Sequence, residues 1–347
     1  MKKIKIKYIG FWKDFDLEND FIYQVLKTKY DVEIAENADY IITSVFGEKY
    51  QYCDYPQIRI MYVGENYIPD FNYIDYAVSR YPLVLGDRNF CLPGCIDEYG
   101  HCKELQYKDR NYEKEILSGK EYFANFIASH ESEKGIRGDF FKKLCEYKRV
   151  ESAGTYLNNM TNGETVWWKD DSKRIFQKKC KFTLCFESTV HEGFITEKIT
   201  DAFLADTIPV YYGSGIVKSI FNEKAFINCS DYECVEEVIE KIKELDENDE
   251  KYLAMLREPI FVDSMYVNKK MKELEAFVLN IFEQEYEKAY RRSRVYCPKE
   301  YEEYILQHQD KYLIKHRKID KECRGVTVKE LVKVIIKRGI RRVWGKK

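Results

Sequence analysis

A strand, a loop and a helix start hold the densest group of residues that could do chemistry. The segment KFTLCFESTVHEGFITEK ends an apolar run at Glu187 and continues through a polar loop with Gly193. Thr196, Glu197 and Lys198 then fall in the first turn of a predicted helix, where main-chain N–H groups and the helix dipole favour an anion. Lys198 adds a formal charge, while the carboxylate of Glu197 suits ligand hydroxyl groups. The segment predicts a site for a sugar joined to a phosphate; the alternative is an ordinary helix start with solvated side chains.

The elements that must position this segment alternate along the chain. Apolar runs such as IKIKYIGF and DYIITSVF predict strands, and stretches with apolar residues at helical spacing predict helices between them. The alternation restarts after a polar segment near residues 97–120, which predicts an α/β fold of two Rossmann-like domains. We place these domains at residues 1–118 and 119–290, followed by a tail at 291–347. Two such domains generally bind a ligand in the cleft between them.

The charge of the chain is unevenly distributed. The 347 residues carry a formal net charge of −2, but residues 291–347 hold 18 basic and 7 acidic side chains, a local charge of +11. The remaining 39 basic and 52 acidic side chains give residues 1–290 a charge of −13. The composition is that of a globular protein and excludes collagen-like, low-complexity and disulfide-scaffold classes. The protein is thus expected to be an acidic body with a basic tail.

The tail has the pattern of a basic amphipathic helix. From Arg324 to Lys347 nine basic side chains accompany one acid, Glu330, and apolar residues including Trp344 recur at helical spacing. Such a helix suits the surface of an anionic membrane, on which it would lie without spanning the bilayer. A packed or solvated terminus is the alternative. Nucleic acid is not an expected partner, because no recognition fold accompanies the basic residues.

The first residues and the cysteines bear on location. Four lysines interrupt the start MKKIKIKYIG, which therefore reads as a strand and not as a signal peptide. No window approaches the roughly 18 to 20 apolar residues that span a bilayer. The 11 cysteines are scattered, so free thiols are expected. These features predict a cytoplasmic protein, held by its tail at the inner face of the membrane.

The string CFESTVHEGFITEKITDAFLADTIPVYYGS resembles the signature of the α-1,3-fucosyltransferase family. That signature has the form F-E-N-S, a short loop, G-[YF]-[IV]-T-E-K, and then I-P-[IV]-Y-[WY]-G. The segments GENYIPDFNYIDYA, GDRNFCLP and FANFIASHESEKGIRGDFF resemble further stretches of the family, in the same order. So many ordered matches are far more specific than a lone short motif. The resemblance covers about residues 4 to 290 and leaves out the tail. The signature matches are Phe186, Glu187, Gly193, Thr196, Glu197, Lys198, Ala202, Ile208, Pro209, Tyr211 and Gly213.

The resemblance implies a fold and a set of roles. Members adopt the GT-B arrangement, with an acceptor-side first domain and a donor-side second domain, and invert the anomeric carbon. Glu65 matches the family's proposed general base, although it could instead cap a loop beside Asn66. Arg137 and Lys198 match residues that contact the diphosphate; for Arg137, the alternative is a solvated residue at a helix start. Glu197 matches a residue that binds hydroxyl groups of the nucleotide sugar.

Two positions depart from the family pattern. Ser188 stands where Asn is usual and Phe194 where Tyr is common, so two polar groups near the nucleotide are shortened or lost. Transfer of another GDP-linked sugar is therefore a rival prediction. A second rival is a binding module for nucleotide sugars or glycans without catalysis. His130, His191 and Glu192 could line the cleft, or lie on surface loops.

The expected reaction is transfer of L-fucose from GDP-fucose in α-1,3 or α-1,4 linkage. The acceptor would be an oligosaccharide or lipid-linked glycan, such as a Lewis-type lipopolysaccharide O-chain with N-acetylglucosamine or glucose units. No apolar anchor precedes the first strand, and in this respect the chain resembles the bacterial members of the family. The only D-x-D spacing, Asp14 and Asp16, lies after the first strand and reads as a helix-capping region. No obligatory metal cofactor is expected, and a divalent ion would at most be stimulatory.

Overall fold

The computed structural model describes residues 1–96, 101–132, 134–166 and 171–292. Of the tail predicted at 291–347, only Arg291 and Arg292 are among them. The predicted basic helix therefore lies outside the described residues. The fold class predicted from the sequence, an α/β protein with two Rossmann-like sheets, is confirmed.

Six parallel strands form the first sheet, in the order β2-β1-β3-β4-β5-β6. Every residue of β3 is buried, as expected for a central parallel strand covered on both faces. In β1 the buried residues Ile4 and Ile6 are separated by lysine, which explains the alternation in the sequence. The strands are β1 (Lys3–Ile9), β2 (Asp31–Ile34), β3 (Tyr40–Thr43), β4 (Ile58–Tyr62), β5 (Tyr76–Ser79) and β6 (Asn89–Cys91).

Five parallel strands form the second sheet, in the order β11-β10-β9-β7-β8. Strand β9 lies at its centre, which places the residues that follow it at the middle of the sheet's carboxyl edge. Ligands of open parallel sheets generally bind at this edge. The strands are β7 (Tyr122–Phe126), β8 (Val150–Ser152), β9 (Cys180–Phe186), β10 (Ile208–Tyr212) and β11 (Ile227–Asn228).

Ten helices are present in the described residues, and the last long one returns to the first sheet. Helix α9 packs against α1 and α2, and the ring of Phe282 lies 4.4 Å from that of Tyr40. Arg292 then forms a fully buried ion pair with Asp75. The helices are α1 (Phe21–Lys27), α2 (His101–Gln106), α3 (Ile136–Tyr147), α4 (Ser172–Lys178), α5 (Glu197–Leu204), α6 (Val217–Ile220), α7 (Val235–Asp246), α8 (Asp249–Arg257), α9 (Tyr266–Glu283) and α10 (Tyr286–Ala289). The domain limits at residues 118 and 290 stay predictions.

The loop that follows β9 rests directly on the first domain. Gly193 has a φ of +86°, and a Cβ at this position would lie 1.8 Å from the main-chain oxygen of Arg80. Two residues later, the carbonyl of Ile195 accepts a 2.8 Å hydrogen bond from the N–H of Cys95. Only glycine permits both this backbone conformation and this approach. The two sheets are therefore joined tightly beside the residues with chemical potential.

Two further sequence expectations concern thiols and membranes. Each of the nine cysteines in the described residues carries a free thiol. Within the same residues, no helix combines the length and the apolar character that a bilayer crossing requires.

Candidate functional site

One cavity of about 670 Å³ brings together five of the six site residues predicted from the sequence. Glu65 reaches it from the loop after β4, and the other four come from the second domain. Phe194 is not among the lining residues. The five are Glu65, Arg137, Ser188, Glu197 and Lys198.

A buried carboxylate braces the loop between β9 and α5. Glu187 is 1% exposed, and its carboxylate accepts hydrogen bonds from the main-chain N–H and the hydroxyl of Thr196, at 2.7 and 2.8 Å. The Nζ of Lys198 lies 3.3 Å from the same carboxylate and 2.8 Å from the Thr196 hydroxyl oxygen. The sequence marked Glu187 only as part of a motif. The structure adds its role, which is to hold the first turn of α5 against the end of β9.

Electrostatics keep Glu197 and Lys198 ionised. Burial lowers the pKa of Lys198, but the carboxylates of Glu187 and Glu197 outweigh it and raise the pKa above its usual value. Partial burial raises the pKa of Glu197, whereas Lys198 and Lys173 lower it, and the balance is a pKa of about 2. At neutral pH the first turn of α5 thus presents one ammonium and one carboxylate to the cavity.

Helix α4 supplies a second cation that the sequence reasoning missed. Lys173 lines the cavity and pairs with Asp201 of α5, and the nearby carboxylates raise its pKa despite burial. Arg174, the next residue, also lines the cavity. The signal was the basic run SKRIFQKK just before β9, which carries no motif and reads as an ordinary solvated face.

Arg137 is buried in the cavity wall, and the alternative of a solvated helix start is therefore wrong. It is 3% exposed. Its Nε and Nη2 donate to the carbonyl of Phe186 at 3.0 and 2.6 Å, and its Nη1 donates to the carbonyl of His130 at 3.0 Å. Burial lowers the pKa of the guanidinium, while Glu187 and Glu131 oppose that shift. Within the described part of the chain, three of its five N–H groups are used, which leaves two for a ligand.

The N-terminus of α3 is occupied by a carboxylate of the chain itself. Glu131 accepts hydrogen bonds from the main-chain N–H groups of Ser132 and Gly138, at 2.7 and 3.0 Å, and from the hydroxyl of Tyr156. Burial raises the pKa of Glu131, but these hydrogen bonds outweigh burial, so the pKa lies below its usual value. The N-terminus of α3 is therefore already occupied, and an anionic ligand would be met by the cationic side chains that line the cavity, which are Arg137, Lys173, Arg174 and Lys198.

Among the residues that the structure describes, Glu65 lines the cavity without an ionic partner. It follows β4, and its side chain has no hydrogen bond or ion pair to any other described residue, although its carbonyl accepts the N–H of Tyr67 at 2.8 Å. The alternative of a loop-capping carboxylate is thus not supported within the described residues. The neighbouring Asn66 accepts a 2.7 Å hydrogen bond from the hydroxyl of Tyr81. A carboxylate with free lone pairs at a cleft is suited to accept a proton.

The remaining candidates divide between the cavity and the domain junction. Ser188 and His130 line the cavity. Phe194 is 6% exposed and packs with its ring centroid 5.0 Å from that of His191. His191 in turn stacks on Tyr81, at 4.1 Å and 8°. No group of three or more metal-ligating side chains occurs within the described residues.

Comparisons with known proteins cover both domains. The family model "Glycosyltransferase family 10 (fucosyltransferase) C-term" matches residues 117–272, and the model "Alpha-(1,3)-fucosyltransferase FucT N-terminal domain" matches residues 6–96. The α-(1,3)-fucosyltransferase FucT of Helicobacter pylori is 30% identical over 324 residues, which are 81% of this chain and 66% of that protein. Human 4-galactosyl-N-acetylglucosaminide 3-α-L-fucosyltransferase 9 is 27% identical over 144 residues, 40% of this chain and 37% of that protein. The chain thus spans about two thirds or less of these curated relatives.

Solved structures agree with the sequence matches. A crystal structure of an α1,3-fucosyltransferase with GDP-fucose superimposes with a TM-score of 0.65 at 27% identity, over 82% of this chain and 93% of that one. The same type of enzyme with GDP gives a TM-score of 0.64 at 27% identity, over 80% and 91% of the two chains. The two-sheet arrangement described above is therefore that of the GT-B fold.

Proposed function

Because the chain belongs to glycosyltransferase family 10, the fucosyltransferases, we propose that it transfers L-fucose from GDP-fucose to a hydroxyl group of a glycan. The observation that carries the proposal is the common cavity of Glu65, Arg137 and Lys198. It combines, on one domain, a carboxylate without a side-chain partner among the described residues and, on the other, the two cations of the family motif. These are the groups that a sugar transfer from a nucleotide diphosphate requires.

In the proposed reaction the acceptor oxygen attacks the anomeric carbon of the donor sugar from the face opposite the nucleotide. The bond from that carbon to the β-phosphate oxygen breaks, and GDP leaves with its electron pair. Glu65 takes the proton of the attacking hydroxyl group as general base. Such a displacement passes through an oxocarbenium-like state and inverts the configuration.

The second domain would bind the leaving group. The Lys198 ammonium and the two free N–H groups of Arg137 would stabilise the negative charge that develops on the diphosphate. Glu197, ionised and acceptor-only, would bind hydroxyl groups of the ribose or the sugar. These roles rest on the positions of the side chains in the cavity and on their match to the family motif.

A different GDP-linked sugar is a second candidate donor. Ser188 lines the cavity in place of the longer Asn of the family pattern, and the ring of Phe194 has no hydroxyl group to offer. The change at Ser188 shortens a polar side chain in the cavity, whereas Phe194 lies outside the cavity lining and would affect the donor only through the loop that carries it. Release of GDP from a panel of GDP-sugars, compared at one concentration, separates the two donors. A binding module without catalysis is the remaining alternative, and it predicts GDP binding in a calorimeter with no turnover on any acceptor.

For the acceptor we propose an N-acetylglucosamine or glucose unit of a surface glycan, in α-1,3 or α-1,4 linkage. The name of the human relative, 4-galactosyl-N-acetylglucosaminide 3-α-L-fucosyltransferase 9, supports the N-acetylglucosamine unit. A lipopolysaccharide O-chain or another lipid-linked glycan would suit a protein held by its basic tail at the cytoplasmic face of a membrane. Catalysis would need no obligatory metal, since the cations that face the diphosphate belong to the chain.

Substitution of the proposed base tests the function. We expect Glu65→Gln to lower kcat by about 10²- to 10⁴-fold, with an unchanged affinity for GDP in calorimetry. Glu113→Gln, an exposed carboxylate on the surface, is the matched control and should keep parental transfer. Parental transfer of fucose by Glu65→Gln would overturn the assignment of the base. Absence of transfer from every GDP-sugar by the parental protein would overturn the proposed function.

A further inference from the structure

An aromatic surface lies on the first domain, outside the cavity. Trp12 and Phe46 are each 48% exposed, with ring centroids 5.5 Å apart in an edge-to-face arrangement. Phe11 and Phe15 stack at 4.2 Å next to them. Exposed apolar rings in mutual contact are unfavourable in water and commonly mark a binding surface.

The backbone holds these rings in place. The carbonyl of Gly10, a residue with φ +71°, accepts a 2.8 Å hydrogen bond from the N–H of Phe46. A Cβ at Gly10 would lie 2.8 Å from the carbonyl oxygen of Ser44, so the loops after β1 and β3 approach as closely as glycine allows. The aromatic surface is therefore formed before any ligand arrives, which lowers the entropic cost of binding.

The sheet order places this surface beside the candidate base. Trp12 follows β1, Phe46 follows β3 and Glu65 follows β4, and these strands are adjacent and parallel. Adjacent strands lie about 4.8 Å apart. The ring of Phe11 also stacks over Tyr62, at 6.5 Å and 17°, and the three residues from Tyr62 to Glu65 span at most about 11 Å. The aromatic surface therefore lies within a few sugar rings of the cavity.

We propose that Trp12 and Phe46 form a subsite for a pyranose ring of an oligosaccharide acceptor, beyond the disaccharide that contains the unit attacked. This inference rests on the proposed function. One face of a pyranose presents C–H groups that pack on an aromatic ring, while its hydroxyl groups stay in water. Binding of remote units would hold the reacting unit at Glu65.

Acceptors of two lengths test the subsite. With GDP-fucose as donor, Trp12→Ala should raise the KM of a hexasaccharide of three N-acetyllactosamine units about tenfold and leave that of the disaccharide within twofold. Trp12→Tyr should restore most of the difference, and Tyr107→Ala, an exposed ring beyond α2, should change neither value. Equal KM changes for both acceptors, or no change for either, would overturn the subsite.

A measurement without turnover separates this inference from the proposed function. Titration of the parental protein with the hexasaccharide should quench tryptophan fluorescence, and the quenching should be lost in Trp12→Ala. If the parental protein transfers no fucose but this quenching occurs, the proposed function fails and the subsite stands. If transfer occurs and Trp12→Ala matches the parent in both assays, the subsite fails and the function stands.

A second observation concerns the junction between Glu65 and the donor loop. The hydroxyl of Tyr81 donates to Asn66, next to Glu65, and the ring of Tyr81 lies parallel to that of His191 at 4.1 Å. His191 belongs to the loop that leads from β9 to Glu197 and Lys198. We infer that Tyr81 and His191 are positioning residues, which set the separation of the base from the donor. Errors of about 1 Å in such a separation cost about 100-fold in rate.

Conservative variants test this pair. Tyr81→Phe keeps the stack and loses the bond to Asn66, and we expect kcat to fall about fivefold with the KM for GDP-fucose within twofold. His191→Ala should lower kcat in the same way, and His191→Phe, which retains a ring, should recover part of the loss. A Tyr81→Phe protein with parental kcat, or one whose KM rises as much as kcat falls, would overturn the role.

Discussion

At the first turn of α5, one buried carboxylate and one lysine hold each other in place. Glu187 has a fully buried side chain, and its charge is met by Lys198 and by two groups of Thr196. Lys198 therefore has two roles: it neutralises the buried carboxylate of Glu187, and it would bind the proposed diphosphate. The two can be separated by experiment.

Removal of the lysine should destabilise the protein before any ligand is considered. Lys198→Met leaves the Glu187 carboxylate buried without its cation, which costs about 3 kcal/mol. We expect a lower thermal midpoint for Lys198→Met and a partial recovery in the double variant Glu187→Gln/Lys198→Met. GDP affinity, measured by calorimetry, should stay weak in both. A double variant no more stable than the single one would contradict this account.

Glu197 should contribute to the loss of folding stability at acid pH. Its pKa of about 2 in the folded protein lies below the ordinary value of 4.5. The ionised carboxylate therefore stabilises the folded protein fully above about pH 4.5, and this stabilisation is lost as the pH falls toward 2. Urea unfolding midpoints at pH 6 and pH 3.5 should therefore differ more in the parental protein than in Glu197→Gln. Equal differences in the two proteins would refute this assignment.

At this scale the sequence predicted the residues better than their contacts. Glu197 and Lys198 were found because a strand, a loop and a helix start are local features. The bracing by Glu187, the capping by Glu131 and the pairing of Lys173 with Asp201 depend on side chains that meet only after folding. No local pattern reports them.

Among the elements, the loop between β9 and α5 is the one whose shape most constrains the site. Its close approach to the main chain of Arg80 requires glycine at position 193. The loop carries Ser188 at one end and Glu197 just beyond the other, so its docking fixes where the donor site lies relative to the first domain.

Two glycine substitutions test that docking. At position 193 the backbone φ is +86°, and a Cβ would lie 1.8 Å from the main-chain oxygen of Arg80. We expect Gly193→Ala to lower the free energy of unfolding by about 3 kcal/mol or more and to abolish transfer activity. Gly86→Ala also has a positive φ, +58°, but meets nothing within 4 Å, and should cost only about 1 kcal/mol. Thermal unfolding of the two variants gives the comparison. Equal losses would show that backbone strain, and not the contact with Arg80, is what matters.

Elements with a strong local pattern were predictable, and the three-residue strands were not. Strands β1, β4, β9 and β10 and helices α3, α5, α7 and α9 agree with the sequence patterns. Strands β6 and β8 have three residues each, too few for a period to emerge, and they exist because neighbouring strands offer hydrogen bonds. The segment read as a linker near residues 97–120 contains α2 and a 3₁₀ turn at Lys114–Gly119.

For the whole molecule, the separation of charge leads to a test of membrane binding. The tail carries +11 and the remainder −13, so attachment to anionic lipid should depend on the tail and weaken with salt. We expect the full chain to sediment with phosphatidylserine vesicles at low salt, and a chain truncated after Lys321 to stay in the supernatant. Vesicles of neutral lipid are the control. Equal sedimentation of the truncated chain would discard this role of the tail.

Helix α9 has a consequence for the synthesis of the protein. The first sheet is complete in sequence at β6, but the helix that covers it and the Arg292 that pairs with its buried Asp75 follow about 200 residues later. A ribosome adding about 5–20 residues per second needs roughly 10–40 s to make them. The nascent first domain must therefore wait, part of its apolar surface uncovered, while the second domain is made and folds. Its native state is reached only when the end of the described chain returns to it.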